Sequence, residues 1–241
     1  MRYSERHTAS SLQLSKEVES GLKWLPVVAL IAWCVLAFNE ATYPLVADGF
    51  RSAREYTAVE MGTAFAFVGA FGLGMVLCWR CARSGGPLQA ILFLGFALLA
   101  LLAALEETQW GQPILGYDIP AWMQEANAQE EFTLHNIEGP QGKAEIFYFV
   151  FCLGAAALYL PRIGIVPDRV WQDLRAHPAL IPLVACIGVT ALLKLFQGIF
   201  AEESVAFDAV RWTTEITELY IAIWGLAYAA IKVFGPAPRS V

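Results

Sequence analysis

Residues 88–106 read LQAILFLGFALLALLAALE, an apolar run broken only by Gln89 near its start and Glu106 at its end. As an α-helix rising 1.5 Å per residue, a run of this length crosses a hydrocarbon core of about 30 Å. A strand of a membrane barrel would be about half as long and would alternate polar with apolar residues. Lipid supplies no water to satisfy peptide groups, so a spanning helix is the predicted form.

Five further runs of the same kind lie near residues 24–45, 58–79, 144–161, 179–199 and 214–234. The predicted fold class is therefore all-α, a polytopic membrane helix bundle of about six transmembrane helices. Composition agrees: 57% hydrophobic and 16% charged residues, with mean hydropathy +0.51, leave too little polar surface for a water-soluble chain of 241 residues. The expected organisation is an N-terminal segment over 1–23, a six-helix domain over 24–234 with a long outer loop at 107–143, and a tail over 235–241. Residues 1–23 are too long and polar for the leader of a signal peptide, so the first run is expected to be retained. Its outer end is interrupted by Asn39, Glu40 and Pro44.

Lys and Arg are segregated along the chain. One set of segments holds Arg2, Arg6, Lys16, Lys23, Arg80, Arg83, Arg162, Arg169, Arg175, Lys232 and Arg239, eleven in all. The alternate loops hold four, Arg51, Arg54, Lys143 and Arg211. Positive residues stay inside, so both termini are expected in the cytoplasm of a bacterial inner membrane, with loops 1, 3 and 5 outside. Membrane lipids are the expected surroundings. A nucleic-acid partner is excluded by the lack of a basic patch interleaved with aromatics.

Cys34, Cys78, Cys81, Cys152 and Cys186 fall in or at the ends of apolar runs, the habit of small buried hydrophobes rather than of a disulfide framework. The C-x-x-C of Cys78 and Cys81 lacks the second pair or histidines that a zinc site needs. Gly62, Ala66, Ala70 and Gly74 recur every fourth residue, a stripe of small side chains expected to let a helix of the same chain approach closely.

The outer side is acidic. Loop 3 carries Glu106, Glu107, Gln109, Trp110, Gly111 and Gln112, then Tyr117, Asp118 and Pro120, then Asn127, Gln129, Glu130, Glu131, His135 and Asn136. Glu40, Glu60, Glu202, Glu203, Glu215 and Glu218 fall at the outer ends of other runs. Carboxylates gathered at one membrane depth are costly unless paired, hydrated, protonated or metal-bound. Glu131 and His135 are four apart and Glu215 and Glu218 three apart, spacings that share one helix face. Lys194 lies about a turn and a half inside the fifth run, where its stem can snorkel outward toward the acids. Gln197 falls on the same side.

Each feature has a plainer reading beside the functional one. Glu215 and Glu218 suit the first turn of a helix, where the macrodipole favours acids. Trp110 and Trp122 suit an interfacial aromatic belt, and a single imidazole such as His135 is more often a packing residue than a ligand. Loop 3 as a whole resists the plain reading, because a long connection rich in Gln, Asn, Glu, Trp and Gly is seldom a mere linker.

The run Glu106-Glu107-x-x-Trp110-Gly111-Gln112, with Gly116-Tyr117-x-x-Pro120 and Asn127-x-Gln129-x-Glu131-x-x-Leu134-His135-Asn136, resembles a group of uncharacterised bacterial multi-pass membrane proteins. Their shared pattern is E-E-x-S-W-G-Q…N-x-Q-G-E-x-x-L-H-N, and an acidic start of the last helix matches more loosely at Glu215 and Glu218. Gln109 replaces the common serine, which speaks against a serine nucleophile there, and Glu130 replaces a common glycine. The resemblance implies a site and names no reaction.

Three functions compete on these residues. The first is an enzyme acting on a lipid or lipid-linked substrate, with Glu106, Glu107, Gln112, Glu131, His135 and Asn136 as catalytic candidates. Glu107, Glu131, His135, Glu215 and Glu218 are its candidate ligands for a divalent metal, and Trp110, Gln129, Lys194 and Glu202 supporting residues. The second is a scaffold or sensor subunit that docks a protein partner through loop 3. The third is a proton- or cation-coupled transporter using Lys194 and the acids, against which the absence of a visible inverted repeat counts.

Overall fold

The computed structural model describes residues 14–51, 57–121 and 144–235. The described residues form helices and turns with no strand. The helices are α1 (Lys16–Ala37), α2 (Tyr43–Arg51), α3 (Ala58–Arg83), α4 (Pro87–Glu107), α5 (Gln112–Leu115), α6 (Ala144–Ala157), α7 (Asp168–Leu174), α8 (Ile181–Leu195) and α9 (Val205–Phe234). A 3₁₀ turn, Pro178–Leu180, leads into α8.

Among the described residues, five segments are long and apolar enough to cross a membrane: α1, α3, α4, Pro178–Leu195 and α9. The apolar part of α6, Ile146–Ala157, is shorter. Outward faces stay apolar, with Leu25, Phe65, Leu99 and Leu153 each about two-thirds or more exposed, as lipid-facing side chains require.

Helix starts follow local chemistry. Thr57 and Glu60 close a capping box on α3, with Thr57 N–H to Glu60 Oε2 at 2.6 Å and Glu60 N–H to Thr57 Oγ1 at 3.1 Å. Pro87 opens α4, where its missing N–H costs nothing. The Ser204 hydroxyl accepts from Phe207 N–H at 3.1 Å and starts α9.

Two helices differ from the apolar runs that announced them. The first run was expected over 24–45, but the helix begins at Lys16, ends at Ala37, and a separate α2 follows. Asn39 Oδ1 accepts from Ala41 N–H at 2.9 Å and Thr42 Oγ1 donates to Leu36 O at 2.7 Å, side-chain bonds that compete with the helix ladder. The last run was expected from 214, yet α9 starts at Val205. Hydropathy discounts the charges of Asp208 and Arg211, while Ala209, Val210, Thr213 and Thr217 pack inward at helical spacing.

The buried share of the candidate spans runs from 17% for α1 to 50% for α9, which makes α9 the axis of the bundle and α1 its periphery. The small-residue stripe of α3 serves packing within the chain. Ala66 and Ala70 join Ala100 and Ala104 of α4 and Ala222 of α9 in one buried seam. A Cβ on Gly74 would meet Ala97 Cβ at 3.0 Å.

The two ends of the bundle are chemically opposite. At one end Arg80 Nη1 donates to Val233 O at 2.8 Å, Gln89 Nε2 to Asp173 Oδ2 at 3.2 Å, and Tyr228 Oη to Leu174 O at 2.8 Å. Between Pro161 and Pro178 the chain forms the short helix α7, anchored by Trp171 Nε1 on Leu160 O at 3.0 Å. Arg83 stacks over Trp79 at 4.4 Å, and Arg162 pairs with Asp168 at 3.0 Å. The start of α3, the finish of α4 and the first half of α9 share the other end, with their glutamates. Helix α6 joins the two, from Tyr148 bonded to Glu218 to Leu158 O accepting from Ala176 N–H at 3.1 Å.

Candidate functional site

Glu107 ends α4, half-buried, at the negative end of that helix's dipole, an unfavourable place for an acid. The carboxylates of Glu218, Glu215, Glu60 and Glu106 all act on it electrostatically. Five acids from three helices thus gather around one position. Tyr148 of α6 closes the group: its hydroxyl donates to Glu218 Oε1 at 2.5 Å, and it lies within range of Glu215 and Glu107 as well.

Stability alone accounts for one of the five. Glu60 belongs to the capping box of α3. Glu215 and Glu218 are not in the first turn of α9; they lie ten and thirteen residues past its start, so the capping reading fails and Asp208 holds the first-turn place. Asp208 Oδ2 instead accepts from Tyr43 Oη at 3.1 Å and ties α2 to α9.

Glu106 has a partner the sequence did not suggest. Trp110 Nε1 donates to Glu106 Oε1 at 2.6 Å, so this indole is a ligand of the acid as well as an aromatic at the bundle's end. The bond is built on an unusual turn. Gln109 and Trp110 have φ of 47° and 56°, and Gly111 follows at 78°, three successive residues in the left-handed region. For a non-glycine residue that conformation costs about 1–2 kcal/mol. Opposing contacts hold it: Gly111 N–H on Thr108 O at 2.7 Å and Tyr117 Oη on Trp110 O at 3.1 Å. Only Gly111 and Gly116, both left-handed, meet the turn without that penalty.

The other expected residues divide clearly. Gln112 is half-buried and opens α5, where its carbonyl accepts from Gly116 N–H at 2.8 Å. Lys194 Nζ donates to Gln197 Oε1 at 2.7 Å, and Gln197 Nε2 donates on to Phe207 O at 3.2 Å, which stitches the end of α8 to α9. Glu202 is exposed. Gln129, Glu131, His135 and Asn136 lie outside the described residues.

Sequence reasoning missed Tyr148 and four buried threonines of α3, α8 and α9. Tyr148 sits in the aromatic run Ile146–Phe151, where only its hydroxyl set it apart. Thr63, Thr190, Thr213 and Thr217 are almost fully buried, with the Thr217 and Thr190 hydroxyls 2.7 Å apart across the α8–α9 contact.

Among the described residues, no three His, Cys, Asp or Glu side chains stand close enough to hold a metal ion. The acids act on one another at longer range than shared ligation would need. The metal set expected from the sequence also draws on Glu131 and His135, outside the described residues.

The fold defines a class: a helical bundle with five helices of membrane-crossing length among the described residues, in which four glutamates act electrostatically on Glu107. Compared with known protein families, curated proteins and solved structures, the chain matches none.

Proposed function

We propose that this chain is a six-span protein of a bacterial cytoplasmic membrane, with both termini inside, and that its carboxylate cluster performs acid–base chemistry on a lipid or lipid-linked substrate at the outer surface. The observation that carries the reading is the gathering of Glu60, Glu106, Glu107, Glu215 and Glu218 with Tyr148 at one bundle end. A bundle gains nothing in stability from like charges at the edge of lipid. Such a group holds shared protons or a cation, and shared protons are what general acid–base catalysis uses.

The depth suits the substrate class. Glu106 and Glu107 end a helix that is apolar from Ala90 to Leu105, which supports a position at headgroup level for the pair. In this reading Glu107 and Glu218 are the acid–base pair, with Tyr148 holding Glu218. A sixth span is supported by the path of α6 between the two ends, and the orientation by the eleven-to-four distribution of Lys and Arg. The loop resemblance to bacterial multi-pass proteins supports the bacterial membrane.

The test compares lipid extracts of cells expressing the wild type and Glu107→Gln at equal levels, by mass spectrometry. A lipid species consumed or formed only with the wild type is expected. Identical profiles, with an ion flux in proteoliposomes or a partner lost with loop-3 variants, would hand the site to a transporter or a scaffold instead.

A further inference from the structure

We infer that Trp110 is a positioning residue for this site: its indole fixes the side chain of Glu106, and the left-handed turn at 109–111 is the device that carries the indole there. The inference rests on the acid–base reading above and adds a residue to it. Glu106 and Trp110 are four apart, one on the last turn of α4 and the other beyond its end. The helix stops at Thr108, whose hydroxyl donates back to Ala104 O at 3.0 Å. From there the chain reverses hand through Gln109, Trp110 and Gly111.

Neither Gln109 nor Trp110 belongs to the residue types that visit this conformation readily. A linker with no positional duty would place Gly, Asn or Asp at those points or avoid the hand altogether. Strain of this kind persists where surrounding contacts over-determine it. Here the contacts converge on Trp110: its side chain bonds Glu106, its carbonyl accepts from Tyr117 Oη, and Gly111 N–H returns to Thr108 O. At 2.6 Å the indole–carboxylate bond has the short length of a charge-assisted contact. An indole is a donor only, so it selects the oxygen of Glu106 and offers nothing that competes with a substrate for protons.

The experiment uses the full chain in lipid nanodiscs with two readouts. In the wild type, the Trp110 indole N–H resonance is assigned by its loss in Trp110→Phe, and Glu106→Gln is expected to move it upfield. Separately, dicyclohexylcarbodiimide labelling is mapped by peptide mass spectrometry. Trp110→Phe is expected to change the labelling rate of Glu106 by roughly tenfold, the equilibrium equivalent of one hydrogen bond to a charged group. Glu107 and Glu218 should keep their rates. A purely structural role would alter all three acids together and leave the indole resonance indifferent to Glu106→Gln. The inference is overturned if that resonance stays in place, a result that does not require Trp110→Phe to fold well. It is also overturned if Glu106 in Trp110→Phe labels at the wild-type rate while Glu107 and Glu218 still react. Labelling of all three acids no faster than exposed Glu202 would overturn the carboxylate site itself, and this inference with it.

Discussion

Replacing Tyr148 by Phe removes one hydroxyl from a side chain only 6% exposed and leaves Glu218 without that donor. The Oη–Oε1 distance of 2.5 Å falls in the charge-assisted range, and the acceptor is half-buried. Hydrogen bonds between neutral side chains across membrane helices average about 0.6 kcal/mol in double-mutant cycles. A bond to a charged group is worth about 1.5–3 kcal/mol. The coupling between Tyr148 and Glu218 should therefore come out near 2 kcal/mol, about three times the neutral average. The assay is a cycle of Tyr148→Phe, Glu218→Met and the double variant, unfolded by dodecyl sulfate in mixed micelles. Tyr220→Phe serves as reference, since Tyr220 Oη donates to the neutral Pro26 carbonyl at 2.9 Å and should cost about 1 kcal/mol. A Tyr148–Glu218 coupling at or below about 0.6 kcal/mol would refute the reasoning, because the contact would then behave as an ordinary neutral bond.

Other expectations follow from packing, charge and orientation. Gly74→Ala should destabilise by about 1–3 kcal/mol, because its new Cβ meets Ala97 Cβ at 3.0 Å and Ala97 Cα at 3.2 Å. Gly72→Ala meets nothing within 4 Å and should not destabilise in the same micelle assay; equal losses at the two positions would contradict the packing of α3 on α4. Glu107→Gln should abolish function and make the unfolding midpoint less sensitive to rising pH, since a neutral amide cannot ionise among four carboxylates; an unchanged pH dependence would contradict the repulsion. In a background without the native cysteines, Glu202→Cys should react with a membrane-impermeant maleimide from outside the cell, and Ser84→Cys only after permeabilisation. The opposite pattern would invert the proposed orientation.

What the sequence made legible was whatever depends on composition over a whole turn or more. The apolar runs gave α4 to within one residue at each end and the start of α3, and the spacing of Gly62, Ala66, Ala70 and Gly74 announced a close helix contact. The expectation that the acids share one end came from the run boundaries, which fall beside Glu60, Glu106 and Glu215. Helix ends were harder, since hydropathy averages cannot weigh one side-chain bond. Asn39 and Thr42 ended the first helix early, and the amphipathic start of α9 was read as loop, which made Glu215 and Glu218 look like caps. Individual partners were hidden for a further reason. Nothing in the order of residues 106–111 reveals that the chain reverses hand and brings Trp110 onto Glu106. Tyr148 and Glu218, seventy residues apart, meet only in the folded bundle.

The most direct measurement is intramolecular cross-linking of Glu107→Cys with Glu218→Cys, in membranes and in the cysteine-free background, using a short bifunctional thiol reagent. Rapid joining of α4 to α9 within one chain is the predicted result, with Glu202→Cys paired to Glu107→Cys as the slow comparison. If the exposed pair joins faster, or Glu107→Cys and Glu218→Cys never join, the acids of α4 and α9 do not face a common pocket and the site does not exist.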